Sequence, residues 1–261
     1  MPGVVLVDVL GKQALALVQR RPVGVLPGDG SEVRQADVQA APEVQGLEVA
    51  IRSRPAREIS GDVYDFFESG FNSAVIAFGD VSGKGAAAAL YGALVSGLLR
   101  ILGPRRKSPA VLMKSLNETL LERKVDAQYA TLLVAFWHPD ERLLHMANAG
   151  AFPPMIFRKG EIINVELEGV PIGLLEDRDY DEIELTLEPG DLILMHSDGV
   201  EDQTNAKEED FGRARVARLF KKHAAEPAKE IVDAIIASID EFRGTTPISD
   251  DQSVLVMRVP K

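Results

Sequence analysis

Five aspartates stand where an apolar core has no use for them. Asp80 closes the run SAVIAFGD, Asp198 closes LILMHSD, Asp62 follows Gly61 ahead of VYDFF, and Asp250-Asp251 stand just before SVLVMRV. Asp and Gly are ordinary turn residues, and turn chemistry accounts for any one of these positions alone. As a set they suggest more. If these strand ends converge, several carboxylates share a partly buried space, where repulsion raises their pKa values unless cations are held there. The chain has no cysteine and no His-x-x-x-His pair. Donors are then oxygens, which suit a hard ion such as Mg²⁺ or Mn²⁺. The lack of cysteine also excludes disulfides, iron–sulfur clusters and thiolate catalysis.

The segment GDVSGKG at 79–85 has the glycine density of a phosphate loop but not its spacing. Three residues separate Gly79 from Gly83, and Gly85 stands where Ser or Thr should follow Lys84. What remains is a Gly-rich turn from a strand into a helix, where the backbone can approach an ion closely. Lys84 itself reads as a solvated or helix-capping lysine, with attraction of a substrate phosphate as the alternative.

The elements that must position these acids follow from periodicity. Leu47, Val49 and Ile51 alternate with Glu48, Ala50 and Arg52 as in a half-buried strand. Strands are expected at 63–67, 73–78, 130–137, 142–148, 155–158, 162–165, 182–187, 192–197 and 253–259. Residues 83–102 change to a helical period, apolar nearly all round, which predicts a buried helix. Ser108-Pro109 is an N-cap followed by proline at the first helical position, and Leu112, Leu116 and Leu120 then share one face. Helices at 213–222 and 227–242 complete the pattern, the second with Ile231, Ile235 and Ile239 in one stripe. Strands and helices are segregated rather than alternating. The fold class expected is therefore α+β, with antiparallel sheets packed as a central β-sandwich and helix pairs on both sides.

Residues 1–45 read as an N-terminal arm or linker, with a short helix around Gln13–Arg20 and a loop-like stretch rich in Pro, Gly, Asp, Gln and Ala over 22–46. A regulatory or dimerising role is the sharper reading of that arm. Residues 46–261 read as the working domain. The formal net charge of −11 argues against nucleic acid and anionic membranes as partners. No leader peptide is recognisable, and no stretch reads as approaching the roughly 18 apolar residues of a membrane helix. A soluble cytoplasmic protein without membrane insertion is expected.

The ordered motifs REISGDVYDFF (57–67), FGDVSGKGAAAAL (78–90), YATLLVAFW (129–137), MANAGAFPPMI (146–156), GVPIGL (169–174), PGDLILMHSDGVED (189–202), FG (211–212) and SDDQSVLVMRV (249–259) resemble the SpoIIE/RsbU-type serine phosphatases of the metal-dependent PPM (type-2C-like) superfamily. The resemblance spans about residues 45–261. It implies metal ligands at Asp62, Asp80, Asp198 and Asp250, with Asp80 bridging two ions and the Val81 carbonyl serving the same pair. Asp251 would support the ligands from behind, and Gly61, Gly79 and Gly199 would let chain and ions pack closely. It further implies two Mn²⁺ or Mg²⁺ ions that activate a water for in-line attack on phosphoserine or phosphothreonine.

The implied partner is a phosphorylated protein of the STAS-domain, anti-sigma-factor-antagonist type, with homodimerisation seen in some relatives. Members often carry sensory domains, and about 45 residues before the working domain leave no room for a full one here. Three departures stand out: Ser60 replaces the first Gly of a Gly-Gly-Asp motif, Ala151-Phe152 replaces a usual His-Asn, and Ser82 stands where larger eukaryotic relatives carry a histidine. His196, two residues before Asp198, is weighed as a proton donor against a strand histidine that faces away from the ions. The competing function is a phosphatase-fold module that binds its partner without turnover. Structural Ca²⁺ binding is a weaker third reading, since no D-x-[DN]-x-[DN]-G loop is present.

Overall fold

The computed structural model describes residues 42–57, 59–69, 72–122 and 128–261. The expected arm, including the helix near 13–20, falls almost wholly outside them. Two five-stranded antiparallel sheets form among the described residues. One consists of β2 (Asp62–Ser69), β3 (Ser73–Val81), β4 (Ala130–His138), β5 (Leu143–Ala149) and β8 (Glu182–Thr186), paired in that order. The other runs β1 (Glu48–Arg54), β10 (Gln252–Arg258), β9 (Leu192–His196), β6 (Met155–Arg158) and β7 (Glu161–Asn164). Helices α1 (Ala86–Leu102) and α2 (Pro109–Glu122) pack on the first sheet. Helices α4 (Arg213–Lys222) and α5 (Ala228–Arg243) pack on the second, and a one-turn helix α3 (Asp198–Glu201) follows β9. The α+β sandwich with a helix pair on each side is the architecture the pattern predicted.

Burial explains why the central strands read as unbroken apolar runs. On β3, Val75 and Ala77 face α1 and α2, while Ile76 and Phe78 face the other sheet. On β4, Leu132, Val134 and Phe136 face the helices, and Leu133, Ala135 and Trp137 face the other sheet. A strand covered on both faces has no polar side to show. The edge strand β8 exposes alternate residues, because only one of its faces is covered, and β7 exposes three of its four. Ser108 Oγ accepts the Val111 N–H at the start of α2, as its sequence position foretold.

Three expectations are corrected. Helix α1 is buried on one face only: Ala88, Tyr91, Val95 and Leu99 enter the core, but Leu90 is 73% exposed and Leu94 and Ile101 nearly half exposed. Its composition overstated its burial because Ala86, Ala87 and Ala93 share the outer face with these large apolar residues. By length and composition alone the 20-residue segment Ala86–Arg105 also passes for a membrane span, contrary to the sequence reading, although one face of it packs in the core. The packed unit also starts earlier than residue 46. Val44 enters the core between the sheets, and the Gln45 carbonyl accepts the Trp137 indole N–H at 2.8 Å.

Candidate functional site

Strand register brings the first two acids together. Asp62, the first residue of β2, pairs directly with Asp80 near the end of β3. Cross-strand partners present their side chains on the same face, here the face turned toward the second sheet, where Tyr64, Phe66, Ile76 and Phe78 also point. Asp198 arrives from the other sheet, at the start of the turn that follows β9, and Asp250-Asp251 arrive just before β10. Asp80, Asp198, Gly79, Thr131 and Phe152 line one cleft of about 80 Å³.

The acids feel one another. Burial raises the Asp62 carboxyl to about 8, and the charges of Asp80 and Asp251 add to this against a hydrogen bond from Ser253 Oγ at 2.5 Å. Burial, then the charge of Asp198, raises Asp80 to about 7. Burial, then the charge of Asp250, also raises Asp198. The close cationic partner is Lys84, whose Nζ lies 2.7 Å from Asp250 Oδ2 and donates to the Ser249 carbonyl at 3.2 Å. Lys84 is half exposed, as a solvated lysine is, but it is also counter-ion to one of the expected ligands and does not cap the helix.

Asp251 works through the backbone. Its Oδ1 accepts the Ala56 N–H at 2.7 Å and its Oδ2 accepts the Gly61 N–H at 2.6 Å, so it ties the 55–61 segment to the start of β10. Close approach explains the three glycines. A Cβ on Gly61 would stand 3.2 Å from Asp80 Oδ1 and 3.4 Å from the Val81 carbonyl oxygen. That carbonyl and the Asp80 carboxylate therefore border one bare patch of backbone. A Cβ on Gly199 would meet the Asp251 carbonyl oxygen at 2.2 Å, which shows how tightly the 250–251 backbone lies against the Asp198 turn. Gly79 serves the sheet instead, because its Cβ would strike the Thr131 carbonyl oxygen of β4 at 2.0 Å.

The donor set fits divalent cations. Five carboxylates and a backbone carbonyl gather with one lysine, and three of the acids have their ionisation suppressed. Among the described residues no three Asp, Glu or His side chains close into a cage around one point. Magnesium-like ions do not need such a cage, since they keep several waters and take only one or two carboxylates each.

Several supporting residues gave no sequence signal. Thr131 Oγ1 lies 3.3 Å from both the Asp80 N–H and its carbonyl. Gln252 Nε2 donates to the Gly199 carbonyl and to Gln203 Oε1, while its Oε1 accepts Arg54 Nε at 2.6 Å. These contacts join residues distant in sequence, so no local motif reveals them. Ser82 Oγ accepts the Tyr129 N–H and clips the 82–85 turn to β4. The His196 ring is 2% exposed, with Nε2 3.3 Å from Glu201 and Nδ1 3.2 Å from the Ser197 carbonyl, and burial pushes its pKa down to about 4. It is a buried histidine whose charged form is disfavoured, and it lines the cleft with Asp80 and Asp198 rather than facing away from it, so neither reading of that residue holds unchanged.

The family model for Stage II sporulation protein E (SpoIIE) matches residues 72–260. Phosphoserine phosphatase RsbU of Bacillus subtilis (strain 168) is 30% identical over 222 residues, covering 83% of this chain and 64% of that protein. Stage II sporulation protein E of the same organism is 26% identical over 202 residues, covering 77% of this chain and 24% of its own length. The chain thus spans less than two thirds of these relatives. Among solved structures, the SiaA-PP2C domain of Pseudomonas aeruginosa superposes with a TM-score of 0.71 at 25% identity, over 81% of this chain and 85% of that one. With its sandwich, its helix pairs and the order of its acidic strand ends, this chain belongs to the SpoIIE family of the PPM (PP2C-type) fold.

Proposed function

We propose that this chain is a Mn²⁺- or Mg²⁺-dependent phosphatase for phosphoserine or phosphothreonine on a partner protein, of the STAS-domain type. The observation that carries the reading is that Asp80 from one sheet and Asp198 from the other line a single cleft, with Asp62 paired to Asp80 across the strands and Asp250 close enough for its charge to act on both Asp80 and Asp198. Two carboxylates raised to about 8 and about 7 describe a site that holds protons when it holds no cations. Asp62, Asp80, Asp198, Asp250 and the Val81 carbonyl would hold the ions. Two divalent ions bound there would supply an acidified water for in-line attack and neutralise charge on the phosphoryl oxygens.

The chain's own groups do the positioning. Asp251 fixes the Gly61 backbone, Thr131 fixes the backbone of Asp80, and Gln252 fixes the Asp198 turn through the Gly199 carbonyl. Lys84, on the rim, would neutralise Asp250 before loading and face the substrate phosphate after it. The name of RsbU, a phosphoserine phosphatase, supports the substrate class. The STAS-type partner is drawn from the resemblance of the ordered motifs.

Phosphate release from p-nitrophenyl phosphate and from a phosphorylated STAS protein, with Mn²⁺, Mg²⁺ or EDTA, tests the reading. Turnover should require metal and vanish in Asp80→Ala and Asp198→Ala. If the wild type releases no phosphate with either metal yet binds the STAS protein, the chain is a binding module instead.

A further inference from the structure

The Ala151-Phe152 departure falls on the cleft itself. Phe152 lines the same cavity as Asp80 and Asp198, and the residue remains 38% exposed. The ring packs edge-on to His196, with centroids 5.7 Å apart at 67°. His196 is itself held by Glu201 and the Ser197 carbonyl, so this support is rigid.

The loop that carries the ring is rigid as well. Asn148, 1% exposed at the end of β5, donates its side-chain amide to the Ala151 and Leu167 carbonyls, and its Oδ1 accepts the Ala151 N–H. Gly150 turns with φ +80, and a Cβ there would stand 3.0 Å from the Pro171 ring. The cleft therefore has a fixed aromatic wall beside its carboxylates. An aromatic ring with few rotatable bonds offers a large apolar contact at small entropic cost.

Resting on the phosphatase reading above, we propose that Phe152 is a specificity-determining residue, which selects phosphoserine or phosphothreonine next to a bulky apolar side chain in the substrate protein. The flanking side chain lies against the exposed ring while the phosphate enters among the aspartates. Phe152 takes no part in bond breaking, so its effect falls on KM more than on kcat.

The test uses two phosphoserine peptides, identical except that Leu or Gly flanks the phosphoserine on both sides. Wild type and Phe152→Ala are compared with Mn²⁺ present, by phosphate release and by calorimetric binding. The wild type should favour the Leu peptide on the order of tenfold in kcat/KM, mainly through KM, as one apolar contact can supply. Phe152→Ala should bring that ratio close to one, and Phe152→Leu should restore part of it. Equal handling of both peptides by the wild type, or an unchanged ratio in Phe152→Ala, would overturn the proposal. A Leu preference in binding without phosphate release would sink the phosphatase reading and leave the aromatic wall standing.

Discussion

Gly199→Ala is the sharpest single perturbation of this site, since it adds one methyl group and removes no ligand. The added Cβ would lie 2.2 Å from the Asp251 carbonyl oxygen and 3.0 Å from the carbonyl carbons of Asp250 and Asp251, all of them backbone atoms. No side-chain rotation relieves the contact. The 250–251 backbone and the Asp198 turn must separate by about 0.8 Å or more, because a packed interior leaves no slack to absorb the methyl. That motion moves Asp250 away from Asp198 and strains the Gln252-to-Gly199 hydrogen bond of 2.9 Å. Overpacking of this kind costs about 1–3 kcal/mol of stability. A misplacement of roughly 1 Å at a reacting site can cost about a hundredfold in rate.

The assay is metal-dependent phosphate release together with Mn²⁺ affinity by calorimetry, on protein shown to be folded by circular dichroism. Both should fall sharply, with a lowered Tm. Gly97→Ala is the control: beyond its own helical turn nothing lies within 4 Å of its Cβ, and it sits inside α1. Helix propensity predicts stabilisation by about 1 kcal/mol there. Wild-type metal affinity and turnover in Gly199→Ala would refute the claim that the site depends on this spacing.

In EDTA the stability of the protein should fall between pH 6.5 and 8. Asp62 and Asp80 have folded pKa values raised to about 8 and about 7, so they favour the fold while protonated and lose that contribution as pH rises through those values. His196, pushed down to about 4, acts oppositely, but its contribution is complete above its ordinary value near 6.5 and leaves the upper window to the aspartates. Thermal melts at stepped pH should show the decline, with Mn²⁺ flattening it; a Tm rising across that window would contradict the shared acidic site. Lys84→Met removes the resident cation 2.7 Å from Asp250. It should tighten Mn²⁺ binding severalfold by calorimetry while raising KM for a phosphopeptide, and unchanged metal affinity would show that the lysine does not compete for the aspartate.

The site was legible in part because acids break the apolar strand pattern at five places. Asp80, Asp198 and Asp250-Asp251 border runs such as SAVIAF, LILM and SVLVMRV, and only a turn or a site accounts for acids there. The sequence could not show that Asp62 stands opposite Asp80, because register is set by pairing between strands and not within either one. It also read α1 as wholly buried, since composition records how apolar a helix is but not which face has a neighbour.

The pattern of apolar runs, turns and caps by itself determined the elements, the α+β class and the identity of the acids, because these depend on side chains near one another in the chain. The tertiary structure alone decided that both sheets deliver acids to one cleft and that Asp251 braces Gly61. It also decided that Lys84 is held by Asp250, that His196 is spent on Glu201, and that Phe152 walls the cleft. All of these except the His196–Glu201 contact, which is local to β9 and the turn after it, join segments distant in the chain, and the spacing that permits them exists only once the two sheets have packed.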